Sequence, residues 1–265
     1  MFWLIRQIVK SYSTWDRPTQ IALLAAVGLF IPTVIVALIA PDGVRPFAWF
    51  GAGMLLLTAQ IAVMWGSRGM VGVTTLAQRA YLAGDLARAR MLLEQLRTSG
   101  SADFRALTLL GNVYRQEARL DESLTVLYEA IDKVSDHPFP FVGIGRTLLS
   151  MGEYIPAAVA FEQALAFEAP DSVWVDLAEG YFRLDRADDA RAALDKSVSA
   201  LSEVHMALMA AYLRYRLGVG NRPPKDLIET GMIFWRAAAV RFAHTSYGVA
   251  LADDIRVLDE LIQET

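Results

Sequence analysis

The chain of 265 residues contains no cysteine. Disulfide-stapled folds, thiolate zinc sites, iron–sulfur clusters and cysteine nucleophiles are therefore excluded, although the absence of thiols leaves the redox compartment open. Charged residues are also scarce, at 20% of the chain, while apolar residues make up 54%. Ordinary soluble domains have about 25% charged and about 45–50% apolar residues, so it matters where along the chain this apolar excess lies.

The scarcity of charge is concentrated near the N-terminus. Residues 1–69 contain five basic and two acidic side chains, whereas the remainder contains 20 basic and 27 acidic ones. The two parts therefore carry formal charges of +3 and −7. Because an acidic body repels the phosphates of nucleic acid, we expect no nucleic-acid partner.

Two uncharged runs of 20 residues, 21–40 and 47–66, lie within the first part. At 1.5 Å per helical residue, each spans about 30 Å, which matches the hydrocarbon core of a bilayer. Trp49 and Trp65 lie near the two ends of the second run, as is typical of the membrane interface. The short linker between the runs favours a tight turn. We predict a transmembrane hairpin over residues 20–69, with two buried helices of a soluble core as the alternative.

The segment before the first run, residues 1–19, has apolar residues at helical spacing and basic residues on the opposite side. This pattern predicts a short amphipathic helix on the membrane surface, with a frayed tail as the alternative. Three Lys or Arg residues precede the first run and one lies between the runs. The positive-inside rule then places the N-terminus and the body on the cytoplasmic side of a plasma (inner) membrane.

Residues 70–204 divide into four units of about 34 residues, each with the apolar spacing of two short amphipathic helices. The fourth unit is the clearest, because Trp174, Leu177, Ala178 and Tyr181 follow the pattern W-x2-L-A-x2-Y. Corresponding positions of the four units recur at intervals of 34, 34 and 33 residues: 84, 118, 152 and 185. A steady period of this length predicts an array of stacked helix pairs.

The units resemble the tetratricopeptide repeat, whose pattern is W-x2-L-G-x2-Y, then A-x3-F, then P. Departures from the pattern exist, since one unit alone has the Trp and the closing Pro is approximated by Pro138 and Pro170. The resemblance implies an all-α fold, an α-solenoid of helix pairs with a concave surface built from the first helix of each pair. It also implies that protein partners bind this concave surface.

The period weakens after residue 204, and residues 205–265 are predicted to form a degenerate repeat and capping helices. Within them, residues 231–242 are apolar almost all round, although a terminal cap is expected to present a polar outer face. The segment is therefore either buried by the neighbouring helices or in contact with a partner or the bilayer. We favour burial.

The resemblance also implies which side chains line the concave groove. Carried over position by position, the family's groove residues become Gln78, Tyr81, Arg105, Thr108, Asn112, Arg115, Gln116, Phe139, Arg146, Glu179, Phe182 and Arg183. Arginines can hold carboxylates through paired hydrogen bonds, so the groove is predicted to bind an acidic segment. The alternative is that these arginines pair with acidic residues of neighbouring repeats.

One pair of groove residues, Asn112 and Arg146, resembles part of the carboxylate clamp with which some tetratricopeptide domains hold a peptide C-terminus. The other clamp positions carry Thr74 and Gln78, which departs from that pattern. A complete clamp is therefore not expected, and a more general groove for an extended or helical acidic segment is favoured.

No constellation for catalysis, metal binding or cofactor binding is recognisable. His137, His205 and His244 lie in different units without a second ligand at helical spacing, so no metal site is predicted. The paired acids 188–189 and 253–254 are each expected on a solvated helix rim. We therefore predict a non-enzymatic protein without cofactors.

The pattern as a whole predicts a membrane-anchored scaffold for protein–protein interaction, acting as an assembly factor or accessory subunit of a larger membrane protein complex. Its expected partners are integral membrane subunits, an acidic peptide segment and the lipid bilayer. The alternative is a tetratricopeptide chaperone that captures client polypeptide segments outside the cytoplasm, as in cytochrome c maturation. That family has a long loop between its two spans, whereas this chain has six residues.

Overall fold

The computed structural model describes residues 17–66, 72–197, 201 and 203–263. Over these residues the chain forms thirteen α-helices and no strand, which confirms the predicted all-α class. It divides into two compact units, residues 1–72 and 73–265. Most of the predicted amphipathic helix at residues 1–19 lies outside the described residues, because these begin at Arg17 within the first helix.

The first unit is a hairpin of two long helices, α1 (Arg17–Ile39) and α2 (Arg45–Gly66). Both are long and apolar enough to cross a membrane. Small side chains let the two helices approach closely, and the buried residues of the unit are almost all alanines: Ala26, Ala37, Ala40, Ala48, Ala52 and Ala62. Most of the large apolar side chains of the two helices are exposed on the outer surface of the hairpin.

Polar groups within the hairpin are satisfied locally. The hydroxyl of Thr33 donates to the carbonyl oxygen of Leu29 at 2.7 Å, and Thr58 repeats this bond to Met54 at 2.8 Å. Each hydroxyl is therefore paired within its own helix, as an apolar surrounding requires. The turn between the helices carries the charges, where Arg45 lies 3.2 Å from Asp42.

The second unit, which we call the body, contains the remaining helices of the described chain. They are α3 (Val73–Leu82), α4 (Leu86–Thr98), α5 (Phe104–Gln116), α6 (Leu120–Lys133), α7 (Pro138–Met151), α8 (Tyr154–Ala166), α9 (Val173–Arg183), α10 (Ala187–Lys196), α11 (Val204–Arg216), α12 (Lys225–Arg241) and α13 (Ser246–Gln263). Helices α3 to α10 form four consecutive pairs, and each helix packs against the next along the chain.

Small residues allow the two helices of each pair to pack at short distance. A Cβ atom on Gly111 would lie 2.5 Å from Cγ of Leu127, and one on Gly145 would lie 2.5 Å from a ring carbon of Phe161. Leu127 and Phe161 are fully buried as a result. The seam between paired helices thus depends on a small residue on the first helix facing a large one on the second.

The turns inside the four pairs share one backbone conformation. The residue at the same position of each repeat has a positive φ, with values of 79°, 60°, 88° and 56° at Gly84, Ala118, Gly152 and Asp185. Glycine adopts this left-handed conformation without strain, whereas Ala118 and Asp185 adopt it against their intrinsic preference. The positions that the sequence period makes equivalent therefore also have the same backbone conformation.

Helices α11 to α13 continue from the fourth repeat and share its hydrophobic core. Met232 and Trp235 of α12 are buried, and Nε1 of Trp235 donates to the carbonyl oxygen of His205 at 3.3 Å. On its other side, α12 leaves Ile233 and Val240 exposed. The apolar segment 231–242 is therefore buried along one side and open along the other.

A trough between the repeats and the C-terminal helices

A trough with a volume of about 500 Å³ lies between the first helices of the four repeats and the C-terminal helices. Helices α3, α5, α7 and α9 contribute five of the residues predicted for the groove: Tyr81, Arg115, Gln116, Arg146 and Glu179. The opposite wall comes from α11, α12 and α13, through residues such as Met209, Phe234 and Arg241. The predicted concave surface is thus present, but the chain's own C-terminal helices face it.

The other predicted groove residues lie elsewhere. Gln78, Arg105 and Phe139 are exposed. Thr108 is buried and its hydroxyl donates to the carbonyl oxygen of Phe104 at 2.7 Å, while Asn112 accepts a bond from Arg115. Two further predicted residues, Phe182 and Arg183, line a second cavity beside α13. Five of the twelve predicted groove residues therefore line the trough, and the other seven do not.

Arg146 on α7 is held by Asp176 on α9. Its Nε lies 3.2 and 3.1 Å from the two carboxylate oxygens, and its Nη2 lies 2.8 Å from Oδ2. The Asp176 side chain is 7% exposed, and its negative charge is the main cause that raises the pKa of Arg146. This arginine therefore satisfies a buried acid of the next repeat, which is the alternative that the sequence left open.

Glu179 and Arg183 form a buried ion cluster with Asp254 of α13. Nη2 of Arg183 lies 3.1 Å from Glu179 and 2.6 Å from Asp254, and all three side chains are at most 7% exposed. The sequence pattern predicted Glu179 and Arg183 in an open groove and Asp254 on a solvated helix rim. Asp254 is in fact buried, because α13 packs against the first helices of the repeats and encloses all three charges.

Two further groups of the C-terminal helices complete this cluster. The hydroxyl of Tyr212 donates to Asp254 at 2.6 Å, and Nη1 of Arg216 lies 3.5 Å from the same carboxylate. Burial raises the pKa of Glu179 to about 7, although the neighbouring charge of Arg183 acts in the opposite direction. The cluster therefore contains an acid that takes up a proton near neutral pH.

Arg115 of the trough forms no ion pair with any acid among the described residues. Its Nη2 lies 3.4 Å from Oδ1 of Asn112, and its shielded Nε has no hydrogen-bond partner among the described residues. Burial and the nearby charge of Arg146 lower the pKa of Arg115. An N–H group that is shielded from water without an acceptor is energetically unfavourable, so the Nε of Arg115 is a polar group that the described residues leave unsatisfied.

Some trough residues lie outside the repeats and were not predicted from the sequence. His205, Phe234, Arg241 and Tyr247 face the trough from the C-terminal part of the chain, where no repeat pattern assigns a position. One signal pointed to Phe234 and Arg241, because both lie in the apolar segment 231–242, which was expected to be buried. His137 caps α7 and His244 is exposed beyond the end of α12, so the three histidines occupy separate places.

No protein-family model and no curated protein matches the sequence significantly. Several solved structures match the fold. The crystal structure of the APC/C hetero-tetramer Cut9–Hcn1 contains a chain that is 14% identical, with a TM-score of 0.50, over 90% of this chain and 48% of that one. This chain therefore spans about half the length of that match.

Two other solved structures have somewhat lower scores. A tetratricopeptide repeat protein from Parabacteroides merdae is 13% identical, with a TM-score of 0.48, over 88% of this chain and 97% of that one. The MamA protein is 16% identical, with a TM-score of 0.46, over 64% of this chain and 89% of that one. At these identities the likeness concerns the fold alone, a solenoid of helix pairs like that of tetratricopeptide repeats.

Proposed function

We propose that this chain is a membrane-anchored scaffold that holds a protein segment in the trough. It acts as an assembly factor or accessory subunit of a larger membrane protein complex. The observation that carries this proposal is the outward orientation of the hairpin's large apolar side chains. Exposed examples in the middle of the two helices are Leu29, Ile31, Met54 and Leu56. A hairpin that buries alanines and exposes leucines is suited to a lipid surrounding.

The hairpin also supports a lateral role in the membrane. One span suffices to anchor a domain, so a second span provides additional surface for contacts with other membrane helices. Exposed small residues such as Gly28 and Gly53 have nothing within 4 Å of a Cβ position and allow such close approach. The partners that we propose for this surface are integral membrane subunits.

The trough supports the binding of a polypeptide segment. Tyr81 and Gln116 offer an aromatic ring and an amide at its rim, and both side chains are partly exposed. Arg115, which forms no ion pair among the described residues, gives the trough a positive charge, although the body as a whole is acidic. An acidic segment complements this charge and is the occupant that we propose.

The scaffold function is tested by purifying tagged full-length protein in mild detergent and identifying the co-purifying proteins by mass spectrometry. The trough variant Tyr81→Ala/Gln116→Ala removes two partly exposed side chains that form no ion pair among the described residues. The control variant Tyr128→Ala/Gln95→Ala makes the same changes at exposed positions on α6 and α4. We expect the trough variant alone to lose partners, and equal recovery from both variants would contradict the proposal.

The side of the membrane that holds the body distinguishes the scaffold from the chaperone alternative. We propose a plasma-membrane location with the body in the cytoplasm, since three of the basic residues of the first part precede the hairpin and one lies in its turn. This placement is tested by fusing to the C-terminus a reporter that is active on one side of the membrane alone. A body outside the cytoplasm would favour a chaperone that captures client segments, as in cytochrome c maturation.

A further inference from the structure

A pocket with a volume of about 470 Å³ lies on the third and fourth repeats, where α8 meets α9 and α10. We call it the seam pocket, and among the described residues it shares none of its lining with the trough. Its apolar lining comes from all three helices: Leu165, Ala166, Trp174, Leu177, Ala192 and Ala193. The pocket is therefore a feature of the junction between two repeats, outside the concave surface.

The corresponding junction two repeats earlier is closed by an ion pair. Arg97 of α4 donates to Glu129 of α6 through Nε at 3.0 Å and through Nη2 at 2.6 Å. Leu107 of α5, at the repeat position that corresponds to Trp174, is only 2% exposed. The charged bridge and the leucine together leave the first and second repeats tightly joined at this place.

The fourth repeat lacks this bridge. The counterparts of Arg97 and Glu129 are Leu165 and Lys196, which lie 68 and 67 residues later, two periods along the array. Because a leucine and a lysine form no ion pair, the junction stays open. Trp174 is accordingly only partly buried, and it presents part of its indole ring to the pocket.

The polar contacts at the other end of the two junctions are the same. In each, a tyrosine donates its hydroxyl to a glutamate and carries an arginine 4.4 Å above its ring: Tyr114, Glu94 and Arg119 in one, and Tyr181, Glu162 and Arg186 in the other. The fourth repeat is therefore not loosened as a whole. The pocket results from the residues at the Trp174 end.

The charges of the lining favour an anionic group at the Trp174 end. Nζ of Lys196 lies 4.5 Å from the centre of the Trp174 ring, and it forms no ion pair among the described residues. The acids of the lining are engaged at the opposite end, where Asp189 lies 2.8 Å from Arg186 and Glu162 accepts the tyrosine hydroxyl. Lys196 is therefore available to an anion beside the indole ring.

We infer that the seam pocket is a docking site for a protein segment that carries an aromatic or large aliphatic side chain next to an acidic one. The apolar side chain packs against Trp174, since an indole ring offers a large apolar surface, and a volume of about 470 Å³ admits it. The neighbouring carboxylate binds the ammonium group of Lys196. The site goes beyond the proposed function, because it lies outside the trough and gives the protein a second place of contact.

The test follows the fluorine NMR signal of Trp174 in full-length protein that is labelled with fluorotryptophan and held in detergent. Trp174→Phe identifies this signal by its loss. The probes are three tripeptides with acetylated and amidated ends: Glu-Phe-Glu, Glu-Ala-Glu and Lys-Phe-Lys. We expect a saturable shift with Glu-Phe-Glu and a Kd below about 10 mM, and the other two peptides should bind at least about fivefold more weakly.

Two variants alter the pocket, and each has a matched control elsewhere. Ala192→Leu fills the pocket and should weaken binding of Glu-Phe-Glu at least about tenfold, whereas Thr125→Leu, at the equivalent position of the second repeat, should not. Lys196→Gln should weaken it by about two- to fivefold. Its control is Lys133→Gln, which also changes the last residue of a second helix. All four positions are exposed, so each variant should melt near the wild-type temperature.

Three results would overturn the docking site: no shift of the Trp174 signal, equal or tighter binding of Lys-Phe-Lys, or unchanged binding in Ala192→Leu. Trp235 lines the trough, so its signal reports binding there separately. A shift of the Trp235 signal alone would place the peptide in the trough and would also contradict the seam pocket. Retention of every partner by the trough variant Tyr81→Ala/Gln116→Ala would contradict the proposed function and leave this site unaffected.

Discussion

Nη2 of Arg183 lies 2.6 Å from Oδ2 of Asp254, and this ion pair joins the first helix of the fourth repeat to the last helix of the chain. Both side chains are almost completely shielded from water. Removing either charge of such a buried pair destabilises the folded state, because the remaining charge is then shielded from water without its partner. The pair therefore helps to fix how α13 lies against the fourth repeat.

The first prediction concerns this ion pair. Asp254→Asn removes the charge with little change in volume and should lower the free energy of unfolding by about 3 kcal/mol, because Arg183 loses the closer of its two buried acidic partners. The measurement is urea denaturation of the full-length protein in detergent. Asp253→Asn is the matched control: its neighbouring carboxylate is exposed, and the change should alter the free energy by less than about 0.5 kcal/mol. Similar losses in the two variants would contradict the role of the buried pair.

A second prediction follows from the raised pKa of Glu179. Burial gives this carboxyl a pKa of about 7 in the folded protein, compared with 4.5 as its ordinary value. The folded state then binds a proton that the unfolded state releases, so the stabilising effect is present at low pH and is lost as pH rises through 7. Arg183 acts against this shift, whereas the charges of Asp176 and Asp254 reinforce it.

The pH effect is measured as the difference in free energy of unfolding between the wild type and Glu179→Gln from pH 5 to pH 8. Relative to the variant, the wild type should lose stability as pH rises, because glutamine does not titrate. Glu260→Gln, at an exposed position on α13, should leave the pH dependence of the wild type unchanged. A constant difference across this range would show that the buried acid does not take up the proton.

A third prediction tests the close contact inside the third repeat. A Cβ on Gly145 would lie 2.5 Å from the ring of Phe161, so Gly145→Ala should destabilise the body by about 1–3 kcal/mol. Gly180 provides the control, since a Cβ there would meet Ala158 at an ordinary distance of 3.9 Å. Gly180→Ala should stabilise its helix by about 0.5–1 kcal/mol through the higher helix propensity of alanine. Thermal melting of both variants distinguishes the steric clash at Gly145 from the general effect of alanine on helix propensity. If both variants were destabilised, the close contact with Phe161 would not be the cause.

The repeat region was the most predictable part of the fold. Its period identified one equivalent position in every unit, and the backbone has a positive φ there even at Ala118 and Asp185. The resemblance to the tetratricopeptide repeat implied twelve groove residues, of which five, including Arg115 and Arg146, line the trough. Local spacing determines these features, and local spacing is visible in a single sequence.

The C-terminal part of the site was beyond this kind of prediction. Asp254 looked like a solvated acid, because its burial depends on where α13 packs and not on any neighbouring residue in sequence. Arg241 has no repeat position that would assign it to the trough, yet it lies in the same cavity as Arg115. The apolar composition of residues 231–242 predicted burial, but composition alone does not specify the packing partner.

The last prediction concerns the hairpin. Leu29 and Leu56 lie near the middle of α1 and α2, and both side chains are exposed. If the hairpin crosses a bilayer, an arginine at either position costs about 2.5–3.5 kcal/mol on insertion. Leu29→Arg/Leu56→Arg should therefore shift the protein from the carbonate-resistant membrane fraction to the soluble or aggregated fraction. Leu82→Arg, at an exposed leucine of the body, should remain in the membrane as the wild type does. Retention of the double variant in the membrane would mean that α1 and α2 do not span it, because exposed leucines on the surface of a water-soluble hairpin tolerate arginine.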